Sequence, residues 1–177
     1  MRVRRYLTIA LGTMAVGLGV FIVNARQQEK KSSPNVPMTG MQDEKMNERG
    51  DHVMGFDHTK TTHHFPLLTD GGSIEIAANL PKDTESRDQI RMHLGHIAKK
   101  FAAGDFNAPM LIHDQVPPGV PTMQKLKAEI QYKFEETEQG ARIRISTNSP
   151  EALQGIYDFL RFQIKEHKTG DSLDVVR

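Results

Sequence analysis

The stretch Ile74-Glu75-Ile76-Ala77-Ala78-Asn79-Leu80-Pro81 returns 69 positions later as Ile143-Arg144-Ile145-Ser146-Thr147-Asn148-Ser149-Pro150. Both versions alternate isoleucine with polar or small residues, the period of a strand with one buried face. Both end in Asn-x-Pro ahead of a helical pattern. Upstream the match extends to His63-His64-Phe65 against Tyr132-Lys133-Phe134. Downstream the offset shortens to 66, and Ile90, Leu94 and Gly104-Asp105 meet Ile156, Leu160 and Gly170-Asp171. A long period used twice reads as two copies of one supersecondary unit sharing a core. The reading predicts an α+β domain. Its two tandem ββα repeats, over residues 61–105 and 130–171, form a four-stranded, mainly antiparallel sheet with two helices on one face.

Local signals place the elements. In the first copy Phe65 and Leu67, then Ile74, Ile76 and Ala78, alternate with polar neighbours, and Asp70-Gly71-Gly72 supplies a tight hairpin between them. The helix that follows carries a core stripe of Ile90, Leu94, Ile97 and Phe101, with Ser86 and Gln89 spaced as a capping box and Gly104 as a stop. In the second copy Ile130, Tyr132 and Phe134 pair through Glu138-Gln139-Gly140 with Ile143, Ile145 and Thr147. Ser149-Pro150 reads as an N-cap followed by proline at the first helical position. Leu153, Ile156, Leu160 and Ile164 form that helix's stripe, and Gly170 closes it. Between the copies, the connector over 106–123 holds Pro109, Pro117, Pro118 and Pro121 and is expected to be irregular.

Ahead of the domain, Arg2, Arg4 and Arg5 precede an uncharged, mostly apolar run over residues 6–23. This is the pattern of a secretory signal, with Val23-Asn24-Ala25 as a small-residue cleavage site. Its 18 residues also suffice for an uncleaved anchor. Residues 1–25 are therefore read as a signal peptide or N-terminal membrane anchor. The remainder is expected outside the cytoplasm, in a periplasm or held at the inner membrane facing it. Residues 26–50 are polar with scattered methionine and are expected to be a disordered tether. Residues 51–177 form the single domain. Removing residues 1–25 takes three arginines and no acid, so the formal balance moves from +1 to −2. No basic face remains to argue for nucleic acid. The chain has no cysteine, which excludes disulfides and thiolate chemistry.

The residues that carry chemistry are histidines and methionines. Seven of the eight histidines lie between positions 52 and 113, and Met38, Met41, Met46 and Met54 precede or overlap them. Imidazole with thioether suits copper, and imidazole with carboxylate suits zinc. No zinc motif such as HExxH is present. The repeat sharpens the choice. His93 and His96 occupy positions that Phe159 and Phe162 hold in the second copy, and His63 stands where that copy has Tyr132. His63, His93 and His96 are thus the expected core of a metal site, with His58 or His64 completing it. His52, Met54, Met38, Met41 and Met46 are expected to capture metal more weakly. His167, at the end of the second helix where a cation favours the dipole, reads as structural.

Met54-Gly55-Phe56-Asp57-His58-Thr59-Lys60-Thr61-Thr62-His63-His64-Phe65, Ile90-Arg91-Met92-His93-Leu94-Gly95-His96-Ile97 and Phe159-Leu160-Arg161-Phe162-Gln163-Ile164-Lys165-Glu166-His167 together resemble a family of exported bacterial proteins of uncharacterised activity. The resemblance covers about residues 50–172. It implies a bacterial source and an extracytoplasmic domain, and it brings no cofactor or catalytic residue.

Three function classes follow from the residues. The first is binding or handling of a transition metal, copper ahead of zinc. The second is a non-catalytic interaction or structural module of the cell envelope, whose partner is a protein. The third is a small metal-dependent hydrolase, which lacks a recognisable general base. A membrane enters only through residues 6–23.

Overall fold

The computed structural model describes residues 38–176. The signal or anchor expected over 1–25, and residues 26–37 of the expected tether, lie outside the described residues. No helix among the described residues is long and apolar enough to cross a membrane.

The elements are α1 (Met38–Met54), β1 (Thr61–His64), β2 (Leu67–Leu68), β3 (Gly71–Ala78), α2 (Thr84–Ala103), α3 (Asn107–His113), α4 (Val120–Lys125), β4 (Ile130–Glu136), β5 (Gly140–Thr147) and α5 (Pro150–His167). The class is α+β, as the alternation predicts. All strand pairs in the sheet are antiparallel, in the order β1-β3-β5-β4, with β2 also paired to β3. Ile74, Ile76, Ile143 and Ile145 are buried on one face, while Arg142 on the other is exposed. Helices α2 and α5 cover that buried face. Gly95 of α2 lies against Phe134, and Leu160 of α5 lies directly over Gly72.

The sheet has five strands where the sequence predicts four. The reason is Pro66. β1 and β2 pair with β3 in one continuous register, His64 to Glu75 and then Leu67 to Gly72. Between them Pro66 has no N–H, and the Phe65 N–H donates to Asp171 Oδ2 (2.8 Å) instead of to the ladder. One edge strand is thereby cut in two, which also blunts the edge. The hairpin sits one step earlier than expected, at Thr69-Asp70. Gly71 and Gly72 are the first residues of β3 and are needed for close approach: a Cβ on Gly71 would fall 2.1 Å from the Ile145 carbonyl oxygen.

Two segments expected to be irregular are helical. Residues 38–50, assigned to the tether, form most of α1, in which Met46, Gly50 and Met54 are buried. Their spacing of four puts them on one face, so two methionines fill a core after all. The connector over 106–123 holds α3 and α4. Two of its four prolines start helices rather than forbid them. Pro109 lies in the first turn of α3 and Pro121 in the first turn of α4, where an N–H has no intrahelical partner anyway.

The caps also differ in detail. α2 begins at Thr84, capped by Asp83, whose carboxylate accepts from the Ser86 N–H (3.0 Å) and Ser86 Oγ (2.8 Å), so the Ser86–Gln89 box is not the start. Gly104 does close α2, at φ 84°. α5 ends at His167 with Lys168 in the left-handed region, before Gly170. α4 packs on α5 through paired glycines, since a Cβ on Gly119 would lie 2.0 Å from the Gly155 carbonyl oxygen.

Candidate metal centre

The edge strand β1, the last turn of α5 and the buried side of α1 meet at one end of the domain. They enclose a cleft of about 430 Å³ whose walls include Met46, Met54, His58, His63, Glu166 and His167. Behind it lies a smaller cavity of about 60 Å³, lined chiefly by apolar side chains and by His63, His93, Gln163 and His167.

His63 pairs with Ile76 in the β1–β3 ladder and so faces the helices, as its phase with Phe65 predicts. Its ring stacks against His167, with centres 5.4 Å apart and planes 8° from parallel. Phe65 and Phe56 flank it at 6.3 and 6.2 Å. The Nε2 of His63 is buried and has no hydrogen-bond partner. Burial pushes its pKa down to about 4, helped by neighbouring His93. A buried imidazole without a counter-charge disfavours its protonated form.

His93 also lines the inner cavity, but Phe56 packs edge-on against it at 5.7 Å and also stacks on His63. Burial, and then His96, push the His93 pKa to about 4. His96 itself is exposed on α2. The structure thus brings His63 and His93 to one cavity and leaves His96 in solvent. A flank of a helix covers a wide arc, and three residues further on is far enough round to leave the sheet.

Two histidines outside the expected set join the cluster. His167 stacks on His63 and meets His113 edge-on at 5.2 Å. Burial, then His63 and His113, push its pKa to about 3. His167 is therefore a neutral ring in a packed cluster rather than a cation at the helix dipole. His113 is buried on α3; its Nε2 lies 3.1 Å from Gln163 Oε1, and its Nδ1 is unpartnered, 3.8 Å from Glu166. Burial lowers its pKa against the opposing pull of Gln163 and Glu166. The sequence offset of 66 residues holds a signal for His167: it stands against Phe101, a core residue of α2. For His113 no sequence signal exists, because its element was read as an irregular connector.

The remaining candidates divide by side. His58 lines the cleft, and its Nδ1–H donates to Asp51 (2.9 Å), leaving Nε2 for a ligand. A carboxylate on the far nitrogen is the arrangement that orients metal-binding imidazoles. Asp51, Asp57 and His58 are the one group among the described residues whose ligating atoms lie within 4.8 Å of one another. Internal hydrogen bonds already use that group: Asp51 accepts from the His58 N–H and ring, and Asp57 accepts from the Thr59 N–H and hydroxyl. His64 is exposed and pairs with Asp171 at 2.8 Å. His52 and Met41 are exposed, whereas Met46 and Met54 are buried.

Chemically, the arrangement offers neutral imidazoles with free nitrogens and two buried thioethers. Such ligands need no deprotonation before they bind a metal at neutral pH. Comparison with known proteins yields no match to a family model, a curated protein or a solved structure.

Proposed function

We propose that this chain is an exported bacterial domain that binds or handles a transition metal, copper ahead of zinc, through histidine and methionine side chains. One observation carries the reading. His63 Nε2 and His113 Nδ1 are buried polar atoms without partners, and both rings contact His167 beside a cleft walled by Met46 and Met54. Buried polar atoms are nearly always satisfied, so two orphaned nitrogens in one cluster ask for a ligand. The extracytoplasmic setting rests on residues 1–25.

We also infer that the domain is a duplicated ββα unit. The ladder registers support this. His63 pairs with Ile76 and Tyr132 with Ile145, so the two hairpins share one register at the 69-residue offset. The inner strands pair Ile74 with Ile143, two equivalent residues, as a local two-fold axis between the copies requires. In this scheme the first copy keeps the scaffold and exchanges Tyr132 for His63.

Titration of the purified full chain in detergent with Cu(I), Cu(II) and Zn(II) tests the metal reading against a urea-denatured control. A folded chain that binds no tighter than the denatured one refutes it. His63→Phe should weaken binding at least tenfold, and His96→Phe should leave it unchanged. The second reading, a docking module, draws on a shallow apolar depression at Met110, Leu111 and Val116, where Leu111 is 60% exposed and Val116 52%. Retention of all envelope interactions in a His63→Phe variant without metal affinity would favour it.

A further inference from the structure

Four residues line both the open cleft and the inner cavity: Met54, His63, Ile112 and His167. Three of them can ligate a metal. Resting on the metal-binding reading above, we propose that this shared wall is a monovalent copper site formed by His63, His167 and the thioether of Met54.

The ring spacing suits two imidazoles on one ion. With a metal–nitrogen distance of about 2.0–2.1 Å, the metal lies about 3.2 Å from each ring centre, and a bond angle near 110–120° separates the centres by about 5.2–5.5 Å. The His63 and His167 centres are 5.4 Å apart. Their planes are nearly parallel, so the rings present faces to each other and one must turn for both nitrogens to reach the ion. His63 Nε2 has no hydrogen bond to lose in that turn.

The surroundings choose the charge. The inner cavity is walled by Ile74, Ile76 and Leu94 among others. Neutral imidazoles and a thioether leave the full charge of the ion uncompensated, and the desolvation penalty of a divalent ion is about four times that of a monovalent one in the same site. Thioether sulfur selects Cu(I) over harder cations. Met46, by contrast, lines only the open cleft.

The test is anaerobic competition of the full chain with a chromophoric Cu(I) chelator, beside a Zn(II) titration and copper-edge X-ray absorption. One equivalent of Cu(I) with two nitrogen neighbours and one sulfur neighbour is expected. Met54→Leu should weaken Cu(I) binding at least tenfold and leave Zn(II) within about twofold. An all-nitrogen shell, or Cu(I) affinity indifferent to Met54→Leu, overturns the Cu(I) site while the broader metal reading stands. Binding of neither ion beyond that of the denatured chain overturns both. Should Met54→Leu fail to fold, the copper-edge spectrum of the unaltered chain decides the matter: a shell without a sulfur neighbour overturns the proposal.

Discussion

Mild acid should destabilise this domain through its histidine cluster. His63, His93 and His167 have pKa values near 4, 4 and 3 in the folded chain, against 6.5 for a free ring. Well above pH 6.5 the folded and unfolded chains both hold these rings neutral, and they add no pH dependence. Below 6.5 the unfolded chain takes up protons that the folded chain refuses, so stability falls until the pH reaches the folded values. At pH 5.5 each ring accounts for about 1.4 kcal/mol, and the three together for about 4 kcal/mol. His113, also lowered, acts in the same direction. A total stability of about 5–15 kcal/mol makes this a large fraction. The acids do not blur the window. Asp57, Asp83, Asp105 and Glu135 are held below their ordinary values by hydrogen bonds they accept, so their contribution is lost only below about pH 4.5. Urea unfolding of the metal-free full chain, followed by circular dichroism at pH 7.5, 6.5 and 5.5 with a chelator present, measures the effect. His63→Phe should recover about a third of the loss. A change below about 1 kcal/mol between pH 7.5 and 5.5 would refute the claim that these half-buried rings are neutral in the folded chain.

Other expectations concern the scaffold. Ile143→Ala, at a fully buried residue paired with Ile74 and Phe134, should lower unfolding free energy by about 2–5 kcal/mol in urea titration. Gly119→Ala should be more harmful than its size suggests, by about 3 kcal/mol or more, because φ is 83° and the new Cβ meets the Gly155 carbonyl oxygen. Gly55→Ala shares a positive φ but meets nothing within 4 Å, so only about 1–2 kcal/mol of backbone strain should appear in the same titration. Asp83→Ala removes the acceptor for the Ser86 N–H and hydroxyl, and should lower the melting temperature by an amount equivalent to about 1 kcal/mol.

The sheet was legible because its information is local. Period-two alternation in Ile74-Glu75-Ile76 and Ile143-Arg144-Ile145 states which face is buried, and glycine or asparagine beside it states where the chain turns. The α2 stripe and its Gly104 stop are of the same kind. The effect of a proline is less legible, since it depends on the residue's place within an element. Pro109 and Pro121 open helices, while Pro66 divides a strand. The capped ends shifted because Asp83 and Ser86 both offer good acceptors, and only the geometry of the entering chain picks one.

The excess of imidazole and thioether without thiol is already present in the sequence, and two of the three histidines expected at the core, His63 and His93, line one cavity. His63 stands out in the sequence because Tyr132 occupies its place at the 69-residue offset. Only the tertiary structure decided the rest. α5 lies across β3, which carries its last turn to the edge strand and sets His167 on His63, more than a hundred residues away in the chain. α3 adds His113, and α1 turns a polar-looking tether into a wall with Met46 and Met54 inside. The same packing leaves His96 in water, although it is three residues from His93. Helical spacing defines which residues share a face; which part of that face is covered depends on what the rest of the chain brings against it.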